Sequence, residues 1–161
     1  MKLKTLVANG LLASLYIAVS LTIQPIAFSN IQFRLPEMFN HLVVFNKKYV
    51  YGIILGVFIT NLFSPLGMYD LVFGVAHSAI SLGMIMILAT VFKNVWTLLV
   101  VNTLIFTFNM FIIAFELNLA FKIPFWLGWL TTAAGELVVM AVGIPIMYAL
   151  NKKLNFAELI R

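Results

Sequence analysis

The sequence contains no cysteine and few charged residues, and these shortages limit its chemistry. Of its 161 residues, 9% are charged and 63% are hydrophobic. A soluble domain is about 25% charged, so this chain has too little polar surface to face water on all sides. Without cysteine, a disulfide framework, a thiolate metal site and a cysteine nucleophile are all excluded. The composition therefore predicts an integral membrane protein.

Motifs for catalysis and for ATP binding are also absent. No glycine-rich loop ending in Lys and Ser or Thr occurs, so a P-loop for ATP is excluded. His41 and His77 are the only histidines, which excludes a His-Glu-x-x-His motif and a histidine-rich metal site. No nucleophile, base and orienting group combine into a hydrolase site. We expect a binding protein without cofactor or enzymatic activity, which moves solute passively or receives energy from another subunit.

Apolar runs separated by polar and turn residues predict an all-α membrane protein, a single domain over residues 1–161 with six transmembrane helices. The second helix is short, because its roughly 11 residues rise only about 16 Å and the hydrocarbon core is about 30 Å thick. The polar stretch before it, Pro25 to Pro36, predicts irregular backbone over or in a cavity open to the outside, with an ordinary outer loop as the alternative. The predicted spans are Leu6–Gln24, Leu35–Phe45, Tyr49–Phe63, Tyr69–Phe92, Val95–Phe115 and Pro124–Leu150.

The basic charge of this chain, +5 at neutral pH, is a signal of topology and not of nucleic-acid binding. With both termini in the cytoplasm, only Arg34 and Lys122 lie on the outer side. Cytoplasmic loops collect Lys and Arg, so this asymmetry predicts the orientation in the cell membrane. The basic residues predicted on the inner side are Lys2, Lys4, Lys47, Lys48, Lys93, Lys152, Lys153 and Arg161.

Ionisable residues within the predicted spans are candidates for a binding site, since burying them in a membrane is costly. Arg34 and Glu37 are three residues apart, close enough to pair. Asp70 opens the fourth span, His77 follows two turns deeper, and Glu136 is near the middle of the last span. The candidate substrate-binding residues are Arg34, Glu37, Asn61, Asp70, His77 and Glu136.

The charge balance of the outer half indicates the kind of ligand. Two bases there face four acids, which favours a neutral or cationic small molecule. A carboxylate also accepts two parallel hydrogen bonds from a planar N–H pair. Trp126, Trp129 and Phe33 offer faces on which a flat heterocycle can stack. The four acids are Glu37, Asp70, Glu116 and Glu136.

Structural roles are open to several of these side chains as well. Trp126 and Trp129 suit an interfacial belt of aromatic residues. His77 suits a buried hydrogen-bonded position, and Glu116 suits a solvated position at the end of a helix. Glu136 suits a protonated or paired state inside the bundle, because burial disfavours its charged form.

A stripe of small residues lies on the first helix. Gly10, Ser14 and Ala18 recur at intervals of four residues, which lets another helix approach closely. The stripe serves either packing inside the bundle or contact with another protein.

Four segments in the first half of the chain resemble the QueT family, the substrate-binding S components of energy-coupling factor (ECF) importers. The remainder of the chain matches that family in hydropathy and helix number. The segments are Ile31-Gln32-Phe33-Arg34-Leu35-Pro36-Glu37, Phe45-Asn46-Lys47-Lys48-Tyr49, Gly56-Val57-Phe58-Ile59-Thr60-Asn61-Leu62-Phe63-Ser64-Pro65 and Asp70-Leu71-Val72-Phe73-Gly74.

The resemblance implies a six-helix S component that captures a queuosine precursor, a 7-deazaguanine derivative, outside the cell. It implies association with a transmembrane coupling subunit and two cytoplasmic ATPase subunits, with Gly10, Ser14 and Ala18 as the candidate interface. A deazaguanine offers an N–H pair, a stacking face and, in its aminomethyl form, a cation. S components for hydroxymethylpyrimidine, pyridoxine or thiamine, and a stand-alone channel or facilitator, are the alternatives.

Overall fold

The computed structural model describes residues 2–23 and 33–160, and these residues form helices and short connections. Two 3₁₀ segments, Leu35–His41 and Lys47–Tyr49, precede α2 and α3 respectively. α5 and α6 follow each other directly, with a break at Met110. The α-helices are α1 (Leu3–Thr22), α2 (Leu42–Phe45), α3 (Val50–Leu62), α4 (Met68–Val91), α5 (Val95–Asn109), α6 (Phe111–Phe121), α7 (Phe125–Leu154) and α8 (Phe156–Leu159).

Within the described ranges, four helical stretches are long and apolar enough to cross a membrane. They are α1, α4, the α5–α6 pair and α7, with mean hydropathies between 1.6 and 2.2. Their outward faces carry large apolar side chains, such as Leu11, which is 68% exposed, and Leu130, which is 70% exposed. Such faces suit contact with lipid chains, so the fold is that of a multi-pass membrane protein.

Most of the predicted helix boundaries agree with the structure to within a few residues. The predicted turn Ser64–Gly67 is present, with Gly67 at a φ of 58° and its N–H donating to Ser64 O over 3.1 Å. The short second span is helical but mostly 3₁₀. Gln24 and the stretch from Pro25 to Gln32, where irregular backbone is predicted, lie outside the described residues.

Two predicted helices end too early. The fifth continues beyond Phe115 to Phe121, so Glu116 is inside a helix and not at its end. The last continues through Pro145 to Leu154, which places Lys152 and Lys153 in its final turn. Both extensions keep backbone groups paired within a helix, which a membrane environment strongly favours.

α1 and α3 pack closely because two glycines of α3 face polar side chains of α1. A Cβ atom at Gly52 would lie 2.7 Å from the backbone oxygen of Asn9, and one at Gly56 would lie 2.8 Å from Cβ of Tyr16. The Gly52 N–H, in the first turn of α3, donates to Asn9 Oδ1 over 2.7 Å. Asn9 therefore satisfies a backbone donor that the start of a helix leaves free.

The chain termini meet at one end of the bundle. Thr5 Oγ1 donates to Ile160 O over 3.2 Å, and Tyr49 Oη donates to Phe156 O over 2.9 Å. The start of α3, with Lys47 and Lys48, lies at the same end, where Lys48 Nζ is 3.5 Å from Ile160 O. The turn between α4 and α5, with Lys93, is also there, because Trp96 directly after it packs against Tyr148 near the end of α7. We call this the basic end, and the opposite end, which includes Arg34 and the turn between α3 and α4, the site end.

Candidate functional site

An ion pair links Arg34 to the start of α4 at the site end. Arg34 Nη2 lies 3.7 Å from Asp70 Oδ1, and the two side chains are 13% and 1% exposed. The Ser64 hydroxyl also donates to the Asp70 carboxylate. The expected pairing of Arg34 with Glu37 is therefore replaced by a pairing with Asp70. Arg34 precedes the 3₁₀ segment in a non-helical conformation, so helical i, i+3 geometry does not apply to it.

The surrounding carboxylates keep Arg34 charged. Burial alone lowers the pKa of Arg34, but Asp70, Glu37 and Glu116 outweigh burial and raise this pKa above its ordinary value. One permanent cation thus stands among several carboxyl groups.

Glu37 is held by two side chains that the sequence did not single out. Tyr16 Oη donates to Glu37 Oε1 over 3.1 Å, and Asn40 Nδ2 donates to Glu37 Oε2. Glu37 is 1% exposed, so these bonds fix the orientation of a buried carboxylate. One feature of the sequence could have identified them: Tyr16 and Asn40 are hydrogen-bonding side chains within otherwise apolar segments.

Glu136 and Glu116 are two further carboxyl groups at this site, and both are fully buried. Neither carboxyl oxygen of Glu136 has a hydrogen-bond partner among the described residues. Glu136 lies within electrostatic range of Glu37 and Arg34. Glu116 is enclosed beside Asp70, and its carboxyl oxygens have no hydrogen-bond partner among the described residues, so the solvated alternative for Glu116 does not apply.

Asn61 and His77 complete the predicted set. Asn61 is 9% exposed and its Nδ2 atom lacks a partner within the described ranges. His77 is fully buried, and its Nε2 lies 3.2 Å from Phe106 O while its ring packs edge-on against Phe106. The structural role foreseen for His77 is therefore present. Its Nδ1 atom is left without a partner in the part of the chain that the structure describes.

A small cavity of about 40 Å³ opens between α1, the first 3₁₀ segment and α3. One water needs about 10–15 Å³ of such space, so the cavity has room for a few waters and is smaller than a two-ring heterocycle. Three of the six predicted residues line the cavity, namely Arg34, Glu37 and Asn61. Asp70 is connected to them by its ion pair with Arg34. The polar side chains of the described lining are Tyr16, Ser20, Arg34, Glu37, Thr60 and Asn61.

Two of the predicted stacking residues, Trp126 and Trp129, and the small-residue stripe are not among the described residues that line the cavity. Trp126 is 68% exposed and Trp129 Nε1 donates to Phe108 O over 3.1 Å, which favours the belt interpretation. No atom lies within 4 Å of the Cβ position at Gly10, and Ser14 beside it is exposed. The stripe thus faces away from the bundle, which argues against a role in packing within it.

Comparison with known proteins matches this chain to one family. The family model described as QueT transporter matches residues 6–152. The chain is also 30% identical over 162 residues to the queuosine precursor transporter QueT of Lactococcus lactis subsp. cremoris (strain MG1363), and the match covers 95% of each chain. No solved structure matches the chain. From the family match and its apolar helices, this chain belongs to the QueT transporter family and is a multi-pass membrane transporter.

Proposed function

We propose that this chain is the substrate-binding S component of an ECF importer and that it captures a 7-deazaguanine queuosine precursor at the site end. The observation that carries this proposal is the buried group of polar side chains around Arg34, several of which have atoms without a hydrogen-bond partner among the described residues. Burying a polar group without a hydrogen bond costs about 1–3 kcal/mol, so a protein retains such groups where a ligand meets them. Glu136 and Asn61 are the strongest examples.

The chemistry of the cluster fits a deazaguanine in its aminomethyl form. Four carboxyl groups, from Glu37, Asp70, Glu116 and Glu136, surround one guanidinium, which favours a cationic ligand. In this proposal a carboxylate, Glu37 or Asp70, accepts from the N–H pair of the ring, Asn61 donates to the ring carbonyl, and Glu136 pairs with the ammonium group. The cavity must widen to admit the ring system, so capture includes movement of its lining.

Energy for uptake comes, in this proposal, from a transmembrane coupling subunit and two cytoplasmic ATPases. The chain has no P-loop of its own. The outward-facing stripe of Gly10, Ser14 and Ala18 offers the flat surface that close helix contact needs in a membrane. This stripe is the proposed contact with the coupling subunit.

The proposed topology has six membrane crossings and both termini in the cytoplasm. The 3₁₀ segment with α2, and α3 with its 13 residues, supply the two short crossings beside the four long ones. Lysines at the basic end support a cytoplasmic location of that end. The site end then faces the outside, where a nutrient is captured.

The first test is to purify the tagged full-length chain from its own cells and identify co-purifying proteins and small molecules by mass spectrometry. We expect a deazapurine together with an integral membrane subunit and two ATPases. If the complex contains a pyrimidine or pyridine vitamin instead, the chain is an S component but its substrate is that vitamin and not a deazapurine. Uptake by liposomes that contain the chain alone, without ATP, would support a channel or facilitator and contradict the proposal.

The proposed interface predicts that a bulky residue in the stripe blocks assembly and spares ligand binding. Ser14→Leu should abolish co-purification of the coupling subunit, because the added side chain holds the two helices apart. Leu130→Ile, on the exposed face of α7, is the control: it changes a side chain on the lipid-facing surface outside the stripe. Co-purification of the coupling subunit with Ser14→Leu at the wild-type level would show that the stripe is not the interface.

A further inference from the structure

A deep apolar groove separates α1 from α7 near the basic end. Its volume is about 620 Å³, more than ten times that of the cavity at the site end. The α1 side of the lining includes Leu11 and Leu15, the α7 side includes Leu150 and Leu154, and Phe39 of the first 3₁₀ segment also contributes. The groove exists because the short second segment fills only part of the space between two long helices. In a membrane, an apolar groove of this kind is filled by hydrocarbon.

Positive charge marks one mouth of the groove. Lys4 is the one charged residue that lines it in the described part of the chain. Lys153 is exposed in the last turn of α7, three residues after Leu150 and directly before Leu154, and both leucines line the groove. Lysines at a membrane surface attract anionic lipid headgroups, at about 1 kcal/mol for each lysine. The groove therefore combines an apolar channel for a chain with a basic mouth for a headgroup.

The side chains of the groove suit a lipid better than another protein helix. Helices that pack tightly in membranes meet through small residues, whereas these walls consist mainly of leucines. Ala8 is the small residue of α1 in the groove lining, whereas the stripe residues Gly10 and Ser14 lie on a neighbouring face outside it. A flexible acyl chain can follow a wall of branched side chains that would hold a helix away.

We propose that this groove is a specific site for an anionic phospholipid of the leaflet at the basic end, with its acyl chain between α1 and α7. The phosphate lies near Lys4 and Lys153. The Tyr49 hydroxyl already donates to Phe156 O, and the Lys48 ammonium lies 3.5 Å from Ile160 O, so these groups brace the mouth. Glu158, on the adjacent α8, is the acidic side chain nearest in sequence to this mouth. The site is separate from the ligand cluster around Arg34.

The test uses the full-length chain in nanodiscs with equal amounts of phosphatidylglycerol and phosphatidylcholine of identical acyl chains. After gentle extraction, native mass spectrometry counts the lipids that stay bound. We expect wild type to retain phosphatidylglycerol in preference. Lys4→Gln or Lys153→Gln should reduce that preference about five-fold each. Lys93→Gln, a matched change on the turn between α4 and α5, should leave it unchanged.

A second variant separates the groove from the general protein surface. Ala8→Phe places a ring in the groove and should reduce retention of both phospholipids, while the circular dichroism spectrum verifies the fold. Equal retention of both lipids by wild type would overturn the proposal. So would an equal loss of preference in Lys93→Gln, or unchanged retention in Ala8→Phe. Displacement of bound lipid by an added coupling subunit would assign the groove to that protein instead.

Discussion

Buried polar side chains at the two ends of the bundle differ in whether they have hydrogen-bond partners. At the basic end, Thr5, Asn9 and Tyr49 are buried and each has a hydrogen-bond partner. At the site end, Glu136 and Asn61 are similarly enclosed but retain atoms without partners within the described residues. The first group joins helices and termini to one another. The second group retains hydrogen-bonding capacity that the described residues do not use, which is why we propose the ligand site there.

The partners at each end also differ in kind. At the basic end most acceptors are backbone carbonyls, such as Ile160 O and Phe156 O. At the site end Glu37 is held by the side chains of Tyr16 and Asn40. Side chains can change rotamer more easily than a helix backbone can move. We therefore expect any rearrangement around a ligand at the site end and not at the basic end.

The largest expected effect comes from neutralising carboxylates at the site end. Glu37→Gln or Asp70→Asn should weaken ligand binding about 10- to 100-fold, since a hydrogen bond to a charged group contributes about 1.5–3 kcal/mol. Titration of the purified variants with 7-aminomethyl-7-deazaguanine measures this loss. Glu158→Gln, the same chemical change at the basic end, should bind like wild type. Wild-type affinity in both site variants would remove these residues from the pocket.

The contact between α1 and α3 predicts a loss of stability without a direct effect on the ligand site. Gly52→Ala places a methyl group 2.7 Å from the Asn9 carbonyl and should cost about 1–3 kcal/mol through overpacking. Gly10→Ala, where nothing lies within 4 Å, is the control and should keep or slightly raise the melting temperature, because alanine favours a helix more than glycine does. Thermal unfolding in detergent compares the two. Equal melting temperatures would show that the helices separate at little cost.

The smallest expected effect concerns the connection between α3 and the C-terminal tail. Tyr49→Phe removes the hydrogen bond to Phe156 O and should lower stability by about 1 kcal/mol. Tyr51→Phe, at a tyrosine that is 61% exposed, is the matched control and should have no measurable effect. If the two variants melt at the same temperature, the bond at the basic end does not contribute.

Local sequence signals predicted the turns, and the turns predicted where the neighbouring helices begin and end. Proline and glycine in Ser64–Gly67 encode a turn, and the bounds of α3 and α4 follow from its position. The end of α6 was not predictable in this way, because Glu116 looked like a polar terminus. Its contact with Asp70 joins two residues that are far apart in sequence, and only the packed structure brings them together.

The sequence predicted which residues belong to the candidate site but not which of them pair with each other. A charged residue inside an apolar run is conspicuous, and for that reason Arg34, Glu37, Asp70 and Glu136 were identified. Which carboxylate Arg34 meets depends on the path of the chain before the 3₁₀ segment, and local spacing does not encode that path. Tyr16 was missed because an aromatic residue on a membrane helix has many other roles.

The most direct test of the central claim is whether Glu136 contributes to binding through the positive charge of the ligand. Isothermal titration of purified wild type and Glu136→Gln should be performed with 7-aminomethyl-7-deazaguanine and with its neutral 7-cyano analogue. The account predicts that Glu136→Gln weakens binding of the aminomethyl compound at least about ten-fold and changes binding of the cyano compound much less. Equal effects on the two compounds, or unchanged binding of both, would contradict it.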